Sequence, residues 1–186
     1  AFGGWTWLNT QFDAPGPAGE NETVLLPRGS GLIAIAEPLE REDLIEDARL
    51  FRLMVMIDGG DRSLRAGEFA IPEQASMARI YEILRSGDTI QHPITAAEGL
   101  TSAMIVEIVN AADVLTGEIT EIPAEGSLLP ETYLVDRGTS RQAVIERMAA
   151  AQSALLDELW PNRATELPYD TREEALILAS IVEKET

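Results

Sequence analysis

The chain has 186 residues, enough for one ordinary domain or two small ones, and its 45% hydrophobic content supports a packed core. With 32 acidic residues against 14 basic ones the formal net charge is -18, and such a surface repels nucleic-acid phosphate and anionic lipid headgroups. Cysteine is absent, which excludes disulfide scaffolds, zinc ribbons and thiol catalysis, and the single histidine, His92, leaves no material for a His-rich metal site.

No stretch approaches the roughly 20 apolar residues of a membrane-spanning helix, and there is no signal-peptide pattern. At the start, Trp5, Trp7 and Phe12 followed by Pro15, Gly16, Pro17 and Gly19 read as an aromatic segment running into a flexible linker. Tryptophans suit a membrane interface, and a poorly ordered chain start gives the same pattern.

Thr23 to Leu26 then forms a β-prone run closed by Pro27, and Gly31 to Ala36 a helix that stops at Glu37-Pro38. From Glu42 to Ile57 apolar residues recur near the 3.6 period, ended by Gly59-Gly60. Gly67 to Ile71 reads as a strand, so this part forms a compact βααβ unit suited to binding more than to chemistry. Ser76 caps a further helix that ends at Ser86-Gly87-Asp88. A strand follows over Thr89 to Thr95, then a helix from Thr101 to about Ala112. Val114 to Val135, with Pro123, Gly126 and Pro130, reads as an ordered loop with short extended pieces; Ser140 to Trp160 is a long helix, and 161–168 connects it to the last one. The overall class is α+β.

The last helix opens on a capping box, either Asp170 with Glu173 or Thr171 with Glu174. At about 100° per residue, Glu185 falls within about 20° of Leu178, near Val182 and Ile181, whereas Glu183 lies on a flank about 140° away. An acid held on a buried apolar stripe has a raised pKa, as a general acid working near neutral pH requires. The wheel alone fits equally a helix whose last acid simply faces water.

LASIVEKET, residues 178–186, resembles the signature helix of the MltG/YceG-like endolytic murein transglycosylases. EGSLLPETY, residues 125–133, AGEFAIP, residues 66–72, and ITAAEGLT, residues 94–101, resemble further segments of that family in the same order. The likeness covers about residues 20–186. It departs at Ala96-Ala97, where a proline commonly precedes the acid, and at Ser127, where an aromatic is common.

The resemblance implies a flexible juxtamembrane segment over 1–19, a LysM-like module and its connection over 20–93, and the first part of a transglycosylase domain over 94–186. It implies a bacterial inner-membrane protein anchored by an N-terminal helix lying before this sequence, with its soluble part in the periplasm. The expected substrate is the peptidoglycan glycan strand and the expected partners are the cell-wall synthesis machinery; no nucleic acid, metal or cofactor is called for. Glu185 is the implied catalytic acid, with Glu125, Tyr133 and Ser180 as substrate contacts or supports of the site. Glu125 fits a turn cap beside Gly126 as well, and Tyr133 a core aromatic. The family chain continues past this helix, so the 186 residues by themselves are expected to be inactive. The competing reading is a LysM-like glycan binder or scaffold that does not cut.

Overall fold

In a computed structural model, which describes residues 2–27, 29–60 and 63–185 with side chains excepted at 2, 184 and 185, ETVLL forms strand β1 (Glu22–Leu26) and GEFAI forms β2 (Gly67–Ile71). They pair antiparallel, with Val24 opposite Phe69, and the two-residue alternation turns Val24, Leu26, Phe69 and Ile71 into the core. Between them lie helices α2 (Leu32–Arg41) and α3 (Ala48–Ile57), completing the βααβ unit.

Both helix boundaries differ from the periodicity reading. α2 runs past Pro38, because fully buried Leu39 packs one residue beyond it and this tertiary gain overrides the local break. α3 begins at Ala48, six residues later than the pattern suggests. Leu44 and Ile45 are buried, but from a turn in which both amides donate to the Leu39 carbonyl. Asp47 then starts the helix, its carboxylate accepting from the amides of Arg49 and Leu50 at 2.7 and 3.0 Å.

The N-terminal stretch is also more ordered than its composition suggests. α1 (Phe2–Asp13) is helical, and Leu8 and Phe12 pack on the core, the Phe12 ring 6.3 Å from that of Phe51. The Gly16 amide donates to the Gln74 carbonyl, and a Cβ on Gly16 would stand 2.2 Å from the Ala75 oxygen. Only glycine permits that approach. α4 (Met77–Ser86) has the expected Ser76 cap and left-handed Gly87 stop. Its Tyr81 hydroxyl donates to Asp58 at 2.7 Å, and burial together with that carboxylate raises the phenol's pKa above its ordinary value.

These elements belong to the first of two compact units, Ala1–Ile90 and Gln91–Thr186. In the second, β3 (Gln91–Thr95) pairs antiparallel with β4 (Thr132–Asp136), Ile94 facing Tyr133. Helices α5 (Ser102–Ala111) and α6 (Arg141–Leu159) cover this sheet with Ile105, Val106, Val109, Val144, Ile145 and Met148. Thr101 and Ser140 cap them through Met104 and Ala143. The irregular segment after α5 is held by side chains acting as backbone partners. Asn110 brackets both polar groups of Ile119, and the Arg141 guanidinium donates to the carbonyls of Val109, Ala112 and Gly117. A short 3-10 turn, Trp160–Asn162, leads toward α7 (Arg172–Glu185). Mixed helices and two-stranded sheets make the protein α+β. Among the described residues no helix is long and apolar enough to cross a membrane.

Candidate functional site

The turn before α5, the segment 125–130, α6 and α7 surround a cavity of about 830 Å³. Its wall is organised by hydrogen bonds to three successive residues, Ala124, Glu125 and Gly126. Ser102 Oγ donates to the Ala124 carbonyl at 3.0 Å, and the Ser102 amide donates to Glu125 Oε2 at 3.0 Å. Glu125 thus occupies the N-terminus of α5, where unpaired amides and the helix dipole favour a carboxylate. Gln152 Nε2, from α6, donates to the Gly126 carbonyl at 2.9 Å. Ser127 Oγ closes the turn onto Ala124, and the Leu129 amide reaches the Met148 carbonyl.

The opposite wall is α7. Its start uses the second of the two possible capping boxes: the Glu174 amide donates to Thr171 Oγ1, and Glu174 Oε2 accepts from the amides of Asp170 and Thr171 at 2.8 and 3.1 Å. Those backbone donors hold the Glu174 carboxyl below its ordinary pKa. An Arg172–Asp157 ion pair at 2.6 Å ties the start of α7 to α6; both partners are exposed, so it contributes about 0–1 kcal/mol.

The face α7 presents corrects the helical-wheel expectation. Leu176, Ala179, Ser180 and Glu183 line the cavity, while Leu178, Ile181 and Val182 are 38, 55 and 59% exposed. Leu176, Ile177 and Leu178 spread apolar surface around much of the helix, so no single side was dictated by sequence. Packing of α7 over the turns at Gly99 and Gly126 settles the matter: Cβ positions there lie 3.9 Å from Glu183 Cγ and 3.5 Å from Leu176 Cδ1.

Of the residues singled out by sequence, Glu125 and Ser180 line the cavity. Ser180 spends its hydroxyl on the Ile177 carbonyl one turn back. Tyr133 is in the core, 3% exposed, with its hydroxyl donated to the Leu129 carbonyl and the Arg147 guanidinium 5.4 Å from its ring centroid. Its burial raises the phenol's pKa. The backbone of α7 runs through Glu185, whose side chain lies outside the described residues.

Sequence reasoning passed over Ser102 and Gln152, the two buried polar side chains among the described residues, 2 and 8% exposed. The signal for Gln152 was available: it follows Val144 and Met148 at intervals of four, a polar residue on an otherwise apolar stripe. Glu98, Glu173 and Glu183 also line the cavity, and no lysine, arginine or histidine does among the described residues. The wall therefore offers acceptors and repels anions.

A family model described as the YceG-like family matches residues 24–186. Among solved structures, the chain is similar to a 2.6 Å crystal structure of a yceG-like protein from Listeria monocytogenes, at 23% identity and a TM-score of 0.41. That match covers 77% of this chain, which spans 57% of the Listeria chain. No curated protein matches.

Proposed function

The chain belongs to the YceG-like family, and from that premise we propose that it serves endolytic cleavage of peptidoglycan, cutting the β-1,4 bond between MurNAc and GlcNAc within glycan strands and leaving 1,6-anhydroMurNAc ends. One observation carries this reading. The segments 94–101, 125–133 and 178–186, which resemble the family's motifs separately in sequence, contribute Glu98 to Thr101, then Glu125, Gly126, Leu128 and Pro130, and Ala179, Ser180 and Glu183 to one cavity.

The reaction needs one acid and no water. Protonated Glu185 donates to the glycosidic oxygen as the C1–O bond breaks; the resulting carboxylate takes the proton from the C6 hydroxyl of the same MurNAc, whose oxygen closes on C1. Ordinary glycosidases use a second carboxylate to attack or to activate water, and the intramolecular hydroxyl replaces it here. Glu125 holds the wall segment to α5. Ser180 lies on the cavity side of the helix that carries Glu185.

In this reading residues 20–93 form a LysM-like module resting on peptidoglycan, and 94–186 form the first part of the catalytic domain. The protein works in the bacterial periplasm, held to the inner membrane by a helix preceding this sequence and acting beside the cell-wall synthesis machinery. The exposed Trp5 and Trp7 of α1 suit the neighbourhood of a membrane surface.

Mass spectrometry of glycan products from the complete protein tests the chemistry. Glu185→Gln is expected to lower 1,6-anhydro products by about 10²- to 10⁴-fold, while Glu183→Gln leaves most activity. Because Glu183 lines the cavity, the reverse result would move the proton donor to Glu183, and hydrolytic ends in place of anhydro ends would sink the transglycosylase reading.

A further inference from the structure

Gln152 occupies an inward position on α6, and a buried amide there costs free energy unless both its ends are satisfied. Its Nε2 is committed to the Gly126 carbonyl, which can only accept and so fixes the orientation of the amide. Its Oε1 has no hydrogen-bond partner among the described residues, yet every fully enclosed side-chain polar atom among them is satisfied. Oε1 therefore keeps accessible surface, and the residue that carries it lines the cavity.

A neighbouring acceptor residue lines the same cavity. Glu125 uses Oε2 on the Ser102 amide, and its other oxygen has no partner among the described residues. Ser102 and Gln152 grip Ala124 and Gly126, the residues on either side of Glu125, so the segment carrying Glu125 is held from both sides before any ligand arrives. Preset acceptors with no basic residue on the cavity wall among the described residues call for a ligand that brings hydroxyl or amide donors and no negative charge.

We propose that Gln152 contacts the glycan directly, its Oε1 accepting a hydrogen bond from a hydroxyl or the acetamido N–H of a neutral N-acetylhexosamine unit held in the cavity. This rests on the peptidoglycan reading and adds a specificity residue to it. Ser102, by contrast, acts through the turn it fastens and is a positioning residue. A site built to accept a substrate donor discriminates strongly against ligands that leave the acceptor unpaired.

The test is a titration of the chain with the tetramer of N-acetylglucosamine, followed by amide chemical shifts, for the wild type, Gln152→Leu and Ser102→Ala, with thermal unfolding of each. Gln152→Leu is expected to raise Kd about 5- to 10-fold, and Ser102→Ala to leave it within about twofold while lowering Tm. Gln152→Met, closer in length, replaces the leucine variant should that fail to fold. Equal loss of affinity in both variants would mean that the held turn and not Gln152 sets binding, and would overturn the proposal; so would unchanged affinity in Gln152→Leu. A wild type that binds no tetramer would overturn the glycan reading itself, and this assignment with it.

Discussion

In the first unit the buried side chains are hydrophobic throughout the described residues; in the second, Ser102 and Gln152 sit among them and both face one cavity. The first unit closes its core with aromatic and aliphatic volume, Phe51 and Phe69 being fully buried. The second gives up two core positions to polar groups and leaves the outer stripe of α7 uncovered. A buried polar group retained at a cost in stability points to binding or chemistry. The difference separates a region closed by apolar packing from one that keeps polar groups at a cavity wall, as the proposed glycan site requires.

The largest effect that would sharpen this contrast is expected in the first unit. Phe51→Ala leaves a cavity against Phe12 and should cost about 3–5 kcal/mol of stability, measured by denaturant unfolding, with the site of the second unit unaffected. Ser102→Ala should cost about 1–2 kcal/mol, since Ser127 still serves the Ala124 carbonyl. A cost as large as that of Phe51→Ala would break the contrast, because it would make Ser102 a principal support of the second core.

The smallest effects belong to α7. Thr171→Ala removes half of a reciprocal cap and should cost about 1 kcal/mol of local stability, seen as faster amide exchange in the first turn of the helix. Glu174 carries the other half, and its folded pKa is depressed. Its contribution is present above the unfolded pKa and lost as pH falls through the folded one, so α7 should fray at its start on acidification. Glu174→Gln should remove that pH dependence; exchange in the first turn that still quickens with acid in this variant would assign the effect elsewhere.

Much of this architecture was legible in the sequence. The caps at Ser76, Thr101, Ser140 and Thr171 mark helix starts because capping is a contact between residues two or three apart, written in adjacent letters. Strands β1 and β2 were visible as short β-prone runs bounded by breakers. At the site, Glu125 and Ser180 were singled out by motif and line the cavity, whereas Ser102 and Gln152 went unnoticed among ordinary helix residues.

Tertiary structure decided what depends on distant partners. Leu44 and Ile45 fit a helical period but are buried from a turn, because the Leu39 carbonyl and the Asp47 cap offered their amides and neighbours a better arrangement. α1 is a helix because Phe51 provides something for Phe12 to pack against. On α7 the apolar residues encircle too much of the axis for a wheel to choose a side, and the turns at Gly99 and Gly126 chose it, bringing Ser180 and Glu183 to the cavity. Local hydrogen bonding is encoded within a few residues; the direction a face points is set by surfaces the chain assembles from far apart.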